Sequence, residues 1–157
     1  MDFNKFTESI RQGLQEASTM AKEYNHQHID VEHFFLALLS QETSLAVRIL
    51  NKLEIKSADI VKELKAALSR LPKLSNPTEQ CMSQRLAAIL GSAQKRAEKM
   101  KDDYASVEHV LGAIVEEGKK TEAGKVFANH GVSSKDFDKV VKEIRGGQKV
   151  TSSNPEA

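Results

Sequence analysis

The sequence predicts an all-α domain made of two pseudo-symmetric four-helix repeats, about eight helices in all. Three observations predict it. Only three prolines occur, Pro72, Pro77 and Pro155, and the stretches between them are rich in Ala, Leu, Lys and Glu, residues that lose little on entering a helix. Apolar residues recur at helical spacing: Ile10, Leu14, Ala17, Ala21 and Tyr24 step by 4, 3, 4 and 3, which is one face of an α-helix. The same pattern returns 76 residues on, as Leu86, Leu90, Ala93, Ala97 and Met100.

That offset lays Val31-Glu32-His33 onto Val107-Glu108-His109, and Ala37-Leu38-Leu39 onto Ala113-Ile114-Val115. One added residue then moves the offset to 77, so that Ile49-Leu50 meets Val126-Phe127, Ile55 meets Val132, and Ile60 and Leu64 meet Phe137 and Val141. In order, the first copy predicts helices near 7–24, 31–41, 44–53 and 57–70; the second predicts them near 83–101, 107–117, 121–129 and 134–145. Helix-start residues agree with these bounds: Thr7 and Ser83, Asp30 and Ser106, then Ser57 and Ser133 or Ser134. Their side-chain oxygens can accept from first-turn N–H groups, worth ~1 kcal/mol each. Gly13 inside the first helix costs about 1 kcal/mol relative to Ala, so packing has to hold that helix; Gly112 and Gly124 weaken helices of the second copy in the same way. Repeat one is thus assigned to 1–71, a Pro-containing connector to 72–82 and repeat two to 83–145. Arg145-Gly146-Gly147 stops the last helix, and 147–157 reads as a linker.

Composition excludes several classes. With 23 Lys+Arg and 22 Asp+Glu the formal charge is +1, which argues against a nucleic-acid module. No apolar stretch reaches the ~18 residues needed to span a bilayer, and Met1-Asp2-Phe3-Asn4-Lys5 lacks the order of a signal peptide. A single cysteine, Cys81, excludes an intramolecular disulfide framework and suits a reducing, cytoplasmic setting.

The histidines do not assemble a metal site. Glu32-His33 and Glu108-His109 are adjacent pairs, so each pair diverges by ~100° around its helix, whereas a zinc hydrolase needs two histidines one turn apart on one face. Each Glu instead complements a helix N-terminus. His26 and His28 fall in a bend, and His130 near a helix end. Nucleophilic catalysis has no G-x-S-x-G elbow to support it, and Cys81 lies in the connector.

The doubled Val-Glu-His helix starts, the opening Phe6-Thr7 and the closing Arg145-Gly-Gly-Gln-Lys-Val-Thr151…Asn154-Pro155-Glu156 resemble the N-terminal domain of the ClpB protein disaggregases, of the Clp/heat-shock AAA+ family. The resemblance runs from Phe3 to Glu156 and places the domain at 1–146, with 147–157 leading toward an ATPase ring. It implies a mobile domain that recruits unfolded or aggregated polypeptides to a homohexamer working with a DnaK-type chaperone system, the isolated domain being monomeric. ATP and magnesium belong to the full-length protein. No cofactor or metal is expected in this chain, which holds no G-x-x-x-x-G-K-[ST] loop. The chain alone is accordingly expected to be a non-catalytic domain, binding neither nucleic acid nor membrane.

Two readings attach to the polar candidates. Local physics makes Thr7 a helix cap, Asp102 and Asp103 turn residues, and Glu108 an acid at a helix start. The resemblance implies that the matching Thr, an Asp of this bend (Asp102, with Asp103 as the register alternative) and the Glu of the second Val-Glu-His take part in substrate handling. It also implies that the start of the first helix lies near the repeat-two bend. Leu90, Ile89 and Val110 are the apolar candidates for a client groove; Ile89 stands where repeat one has Gly13, so it is apolar in one copy alone. A docking site for a dedicated adaptor protein is the alternative function.

Overall fold

The helix α2 (Val31–Leu39) has every residue buried, and α6 (Val107–Glu117) is buried from Val107 to Val115. Both are apolar nearly all round, the pattern of a helix that other helices enclose. Around them stand α1 (Glu8–Glu23), α3 (Leu45–Lys52) and α4 (Ser57–Ser69) from repeat one, and α5 (Gln84–Lys99), α7 (Glu122–Asn129) and α8 (Ser134–Arg145) from repeat two. The computed structural model describes residues 1–76 and 79–155. Pro77 and Thr78 of the expected connector, and Glu156 and Ala157 of the expected tail, lie outside the described residues.

Among the described residues eight α-helices fall where the periodicity places them, with ends within about two residues of expectation. Two short 3-10 turns, at Phe3–Lys5 and Gly118–Lys120, were not anticipated. Asp30, Ser83 and Ser133 cap their helices as expected. Ser57 does not: it is the first helical residue of α4, and Lys56 occupies the cap position. Gly124 is required by space. A Cβ there would lie 2.0 Å from the Gly118 carbonyl oxygen, so α7 can follow its preceding turn this closely only with glycine.

The duplication extends to the backbone. Asn25 and Lys101, 76 apart, both adopt left-handed conformations (φ 59° and 61°), as do Glu54 and Gly131 (φ 61° and 74°) at the later offset. In each copy this lets the next N–H reach back to close the helix: His26 N–H to the Ala21 carbonyl at 2.9 Å, Asp102 N–H to the Ala97 carbonyl at 2.8 Å.

The copies clasp through two reciprocal exchanges. Helix α3 of repeat one packs on α6 and α8, and α7 of repeat two packs on α2 and α4. Phe35 and Phe127 stack across this contact with centroids 5.6 Å apart, and Phe137 meets Phe127 edge-on at 6.2 Å. The second exchange is extended backbone: β1 (His28–Ile29) runs parallel to β2 (Cys81–Met82), and Phe6 pairs in parallel with Ala105. Each copy's lead-in segment therefore hydrogen-bonds to the other copy's bend.

Candidate functional site

The lead-in exchange carries Thr7 to the repeat-two bend. Lys5 accepts from the Ala105 N–H at 2.8 Å, and Ala105 in turn accepts from the Thr7 N–H at 3.1 Å. Thr7 is fully buried and occupies the cap position of α1, yet its hydroxyl makes no cap bond to the helix. The cap reading of Thr7 therefore does not hold; its counterpart Ser83 does cap α5, accepting from the Leu86 N–H at 3.0 Å.

Asp102 organises the bend. Its carboxylate accepts from both terminal Arg145 guanidinium nitrogens (2.6 and 2.9 Å), from the Val150 N–H at 3.0 Å and from His109 Nε2 at 2.7 Å. The His109 tautomer follows from its other side. Nδ1 accepts from the Ser106 N–H at 2.8 Å, so the proton sits on Nε2 and points at Asp102. Burial alone would push the Asp102 carboxyl up. The Arg145, Val150 and His109 hydrogen bonds outweigh it and hold the group below the usual carboxylate range. Burial pushes His109 down against the pull of Glu108 and Asp102. Glu108, buried on the same turn of α6, lies 3.8 Å from Arg145. Asp102 and Glu108 thus meet through one arginine, with Thr7 on the adjoining backbone.

Repeat one builds the same frame with a histidine in place of the aspartate. The Asp30 N–H donates to His33 Nδ1 at 2.9 Å, and His33 Nε2 donates to His26 Nδ1 at 2.8 Å, with His26 standing where repeat two has Asp102. Burial, then the neighbouring His26, lowers His33 to about 4. Glu32 pairs with Arg85 at 2.7 Å, but its burial outweighs that pairing and raises it to about 7. The histidines are thereby engaged as pivots of the two bends. Among the described residues no group of three or more His, Cys, Asp or Glu is placed to hold a metal ion.

Past α8 the chain folds back over this cluster. Val150 is buried, the Asp103 N–H donates to its carbonyl at 2.8 Å, Lys149 Nζ donates to the Met100 carbonyl at 2.8 Å, and the Glu8 N–H donates to Ser153 at 2.7 Å. Three depressions surround the cluster. One of about 550 Å³ is polar and lined by Lys5, Asp102, Asp103 and Tyr104. A second, about 210 Å³, lies between α3 and α8. The third, about 660 Å³, runs between α5 and α8 over α6, with Met100, Phe137 and Val141 beneath and lysines along its edges. Glu108 and Arg145 form the wall shared by the last two.

The apolar candidates lie elsewhere. Ile89, Leu90 and Val110 are all in the core and line none of these depressions. The physical reason is a volume exchange between copies. A Cβ at Gly13 would lie 2.9 Å from Leu38 and 3.1 Å from Phe34, so repeat one uses glycine to admit a phenyl ring. Repeat two has Val110 and Ile114 at those two partner positions, and Ile89 restores the volume that the smaller Val110 leaves. Apolarity in one copy alone signals compensation here. Arg145, His109, Val150 and Met100 were missed as site residues. The doubled Val-Glu-His motif and the Arg145…Asn154 tail already contained the first three, but only as marks of resemblance.

Residues 5–130 match the family described as the Clp repeat (R) N-terminal domain. The chain is 37% identical over 160 residues to the chaperone protein ClpB of Nitratidesulfovibrio vulgaris, a match that covers 99% of this chain and 18% of that protein. The chain therefore spans less than a fifth of the length of the curated relatives it matches. Its fold superposes on the Hsp104 N-terminal domain from Candida albicans with a TM-score of 0.81 at 21% identity, covering 98% of this chain and 99% of that one. It also superposes on the N-terminal domain of the ClpV1 ATPase from E. coli, with a TM-score of 0.79 at 18% identity, covering 99% and 93%. At such identities the likeness is one of fold.

Proposed function

The chain belongs to the Clp repeat N-terminal domain family, a domain distinct from the catalytic ATPase module, and on that premise we propose that it recruits clients to a ClpB-type ATP-dependent protein disaggregase in the cytoplasm. The clients are exposed apolar segments of unfolded or aggregated polypeptides. In the assembled machine the domain is one of six tethered to an ATP- and magnesium-dependent ring that cooperates with a DnaK-type system.

The observation that carries this reading is the trough of about 660 Å³ between α5 and α8. A client without fixed sequence needs a surface that rewards burial in any orientation, and apolar contact is non-directional. Met100, half-buried at its edge, takes the part expected of Ile89, Leu90 and Val110, with Phe137 and Val141 beneath it. Glu108 lines the wall of the trough beside Arg145, which Asp102 holds, while Thr7 pairs with the bend at Ala105 and Asp103 fixes the returning tail. Affinity is weak, because ordering an unfolded segment opposes binding. Six tethered copies offset that by raising effective concentration.

Anisotropy of a labelled, permanently unfolded casein tests the reading. The domain should bind it in the micromolar range or weaker, and Met100→Glu should abolish binding while leaving the melting temperature in place. A domain that ignores casein yet binds one folded partner tightly would establish the adaptor-docking alternative instead.

A further inference from the structure

The charges along the trough divide into two groups. Arg96 is held by Glu116 and by Asp138 at 3.0 Å, and Arg145 is held by Asp102 with Glu108 at 3.8 Å. Each arginine is thus shared by two carboxylates, but the six cations that line the trough, Lys149 among them, outnumber its three acids, Glu108, Glu116 and Asp138. Lys95 and Lys99 on α5 and Lys142 on α8 also line it, are exposed, and form no ion pair among the described residues. Lys95 and Lys99 stand one helical turn apart on one face, opposite Lys142 across the apolar floor. The chain as a whole carries a net charge of only +1, so this local excess is not a property of the surface at large.

We infer that the trough selects apolar segments flanked by carboxylates: acidic–apolar polypeptide stretches, with the apolar side chains on Met100, above the buried Phe137 and Val141, and the Asp or Glu residues on Lys95, Lys99 and Lys142. This rests on the client-binding reading above and narrows it. A neutral apolar segment gains only the floor. A segment flanked by lysine meets three unpaired cations in a concave site and is repelled, while one flanked by carboxylate finds both contacts. Exposed pairs are individually weak and screened by salt, so the three together give a preference of about tenfold at low ionic strength.

Two labelled peptides with the same Leu/Phe centre, one flanked by Asp and Glu and the other by Lys, separate the possibilities in an anisotropy titration of the chain. The acid-flanked peptide should bind about tenfold tighter at low salt. The gap should close at high salt and in the triple variant Lys95→Gln, Lys99→Gln, Lys142→Gln, whose substitutions are all on the surface and should leave the melting temperature unchanged. Equal binding of the two peptides, both lost in Met100→Glu, would overturn the charge preference and leave the apolar reading standing. Failure of both peptides to bind would overturn the two together. Equal displacement of the acidic peptide by single-stranded DNA of matched charge would assign the lysines to polyanions in general and also overturn the inference.

Discussion

Replacing Asp102 with Ala tests how the tail and the bend are held. The substitution removes four hydrogen-bond acceptances at once: two from Arg145, one from the Val150 N–H and one from His109. It leaves a largely buried guanidinium with Glu108 at 3.8 Å, the Gln148 carbonyl and the Met100 sulfur at 3.9 Å as its remaining partners. Removing one member of a buried pair typically costs about 3–5 kcal/mol. The surviving Arg145 contacts place the cost near the lower end, about 3 kcal/mol, or roughly 6–12 °C in melting temperature for a chain of this size. Asp102→Asn should recover little of it. Its amide N–H₂ or carbonyl would have to face both a His109 donor and an Arg145 donor, and His109 cannot switch tautomer while Nδ1 holds the Ser106 N–H. Urea unfolding measures the energy, and amide exchange at Val150 and Asp103 reports whether the tail has left the body. A loss under about 1 kcal/mol with the Val150 amide still protected would refute this reasoning.

Other outcomes are expected. Between about pH 6.5 and 4 the unfolded chain binds a proton that neutral, buried His33 refuses, so the His33 contribution to stability should fall with acid across that window, by up to about 3 kcal/mol, against the opposite contribution of Glu32. Glu32, raised to about 7, acts oppositely, losing stability as pH rises from 4.5; Glu32→Gln should therefore steepen the acid loss, and His33→Gln should flatten it, in urea titrations across this range. Helix propensity alone would have Gly124→Ala stabilise by about 1 kcal/mol, but the 2.0 Å approach to the Gly118 carbonyl predicts destabilisation of about 1–3 kcal/mol by thermal unfolding. In the full-length protein, Glu108→Gln should reduce disaggregation several-fold more than it lowers the domain's melting temperature, and an equal loss of folding would return Glu108 to a purely structural part.

The helices were legible because α1 and α5 carry a strict one-face stripe and because α2 and α6 repeat Val-Glu-His at a fixed offset, both local signals. What pairs across the copies was not. β1 and β2 are two residues each, and Cys81-Met82 sits in a connector with no alternating pattern, so its register comes from the clasp rather than from propensity. Asp102 and Glu108, named through resemblance, do converge, although on Arg145, which ends a helix and gives no sign of its target. The apolar half was misread at Ile89 because a single sequence cannot distinguish exposure from volume compensation against Gly13 and Phe34. The exchange of Asp102 for His26 is visible at the 76-residue offset; it marks where two otherwise matched bends diverge, the inner histidine of one pairing with a carboxylate and that of the other with a second histidine.

Amide-shift mapping of the labelled chain against unfolded casein bears most directly on the client-binding account. Shifts should concentrate at Lys95, Met100, Glu108, Val141 and Lys142 and be small around the repeat-one bend at His26 and His33. Shifts spread evenly over both copies, or none at millimolar protein, would contradict it.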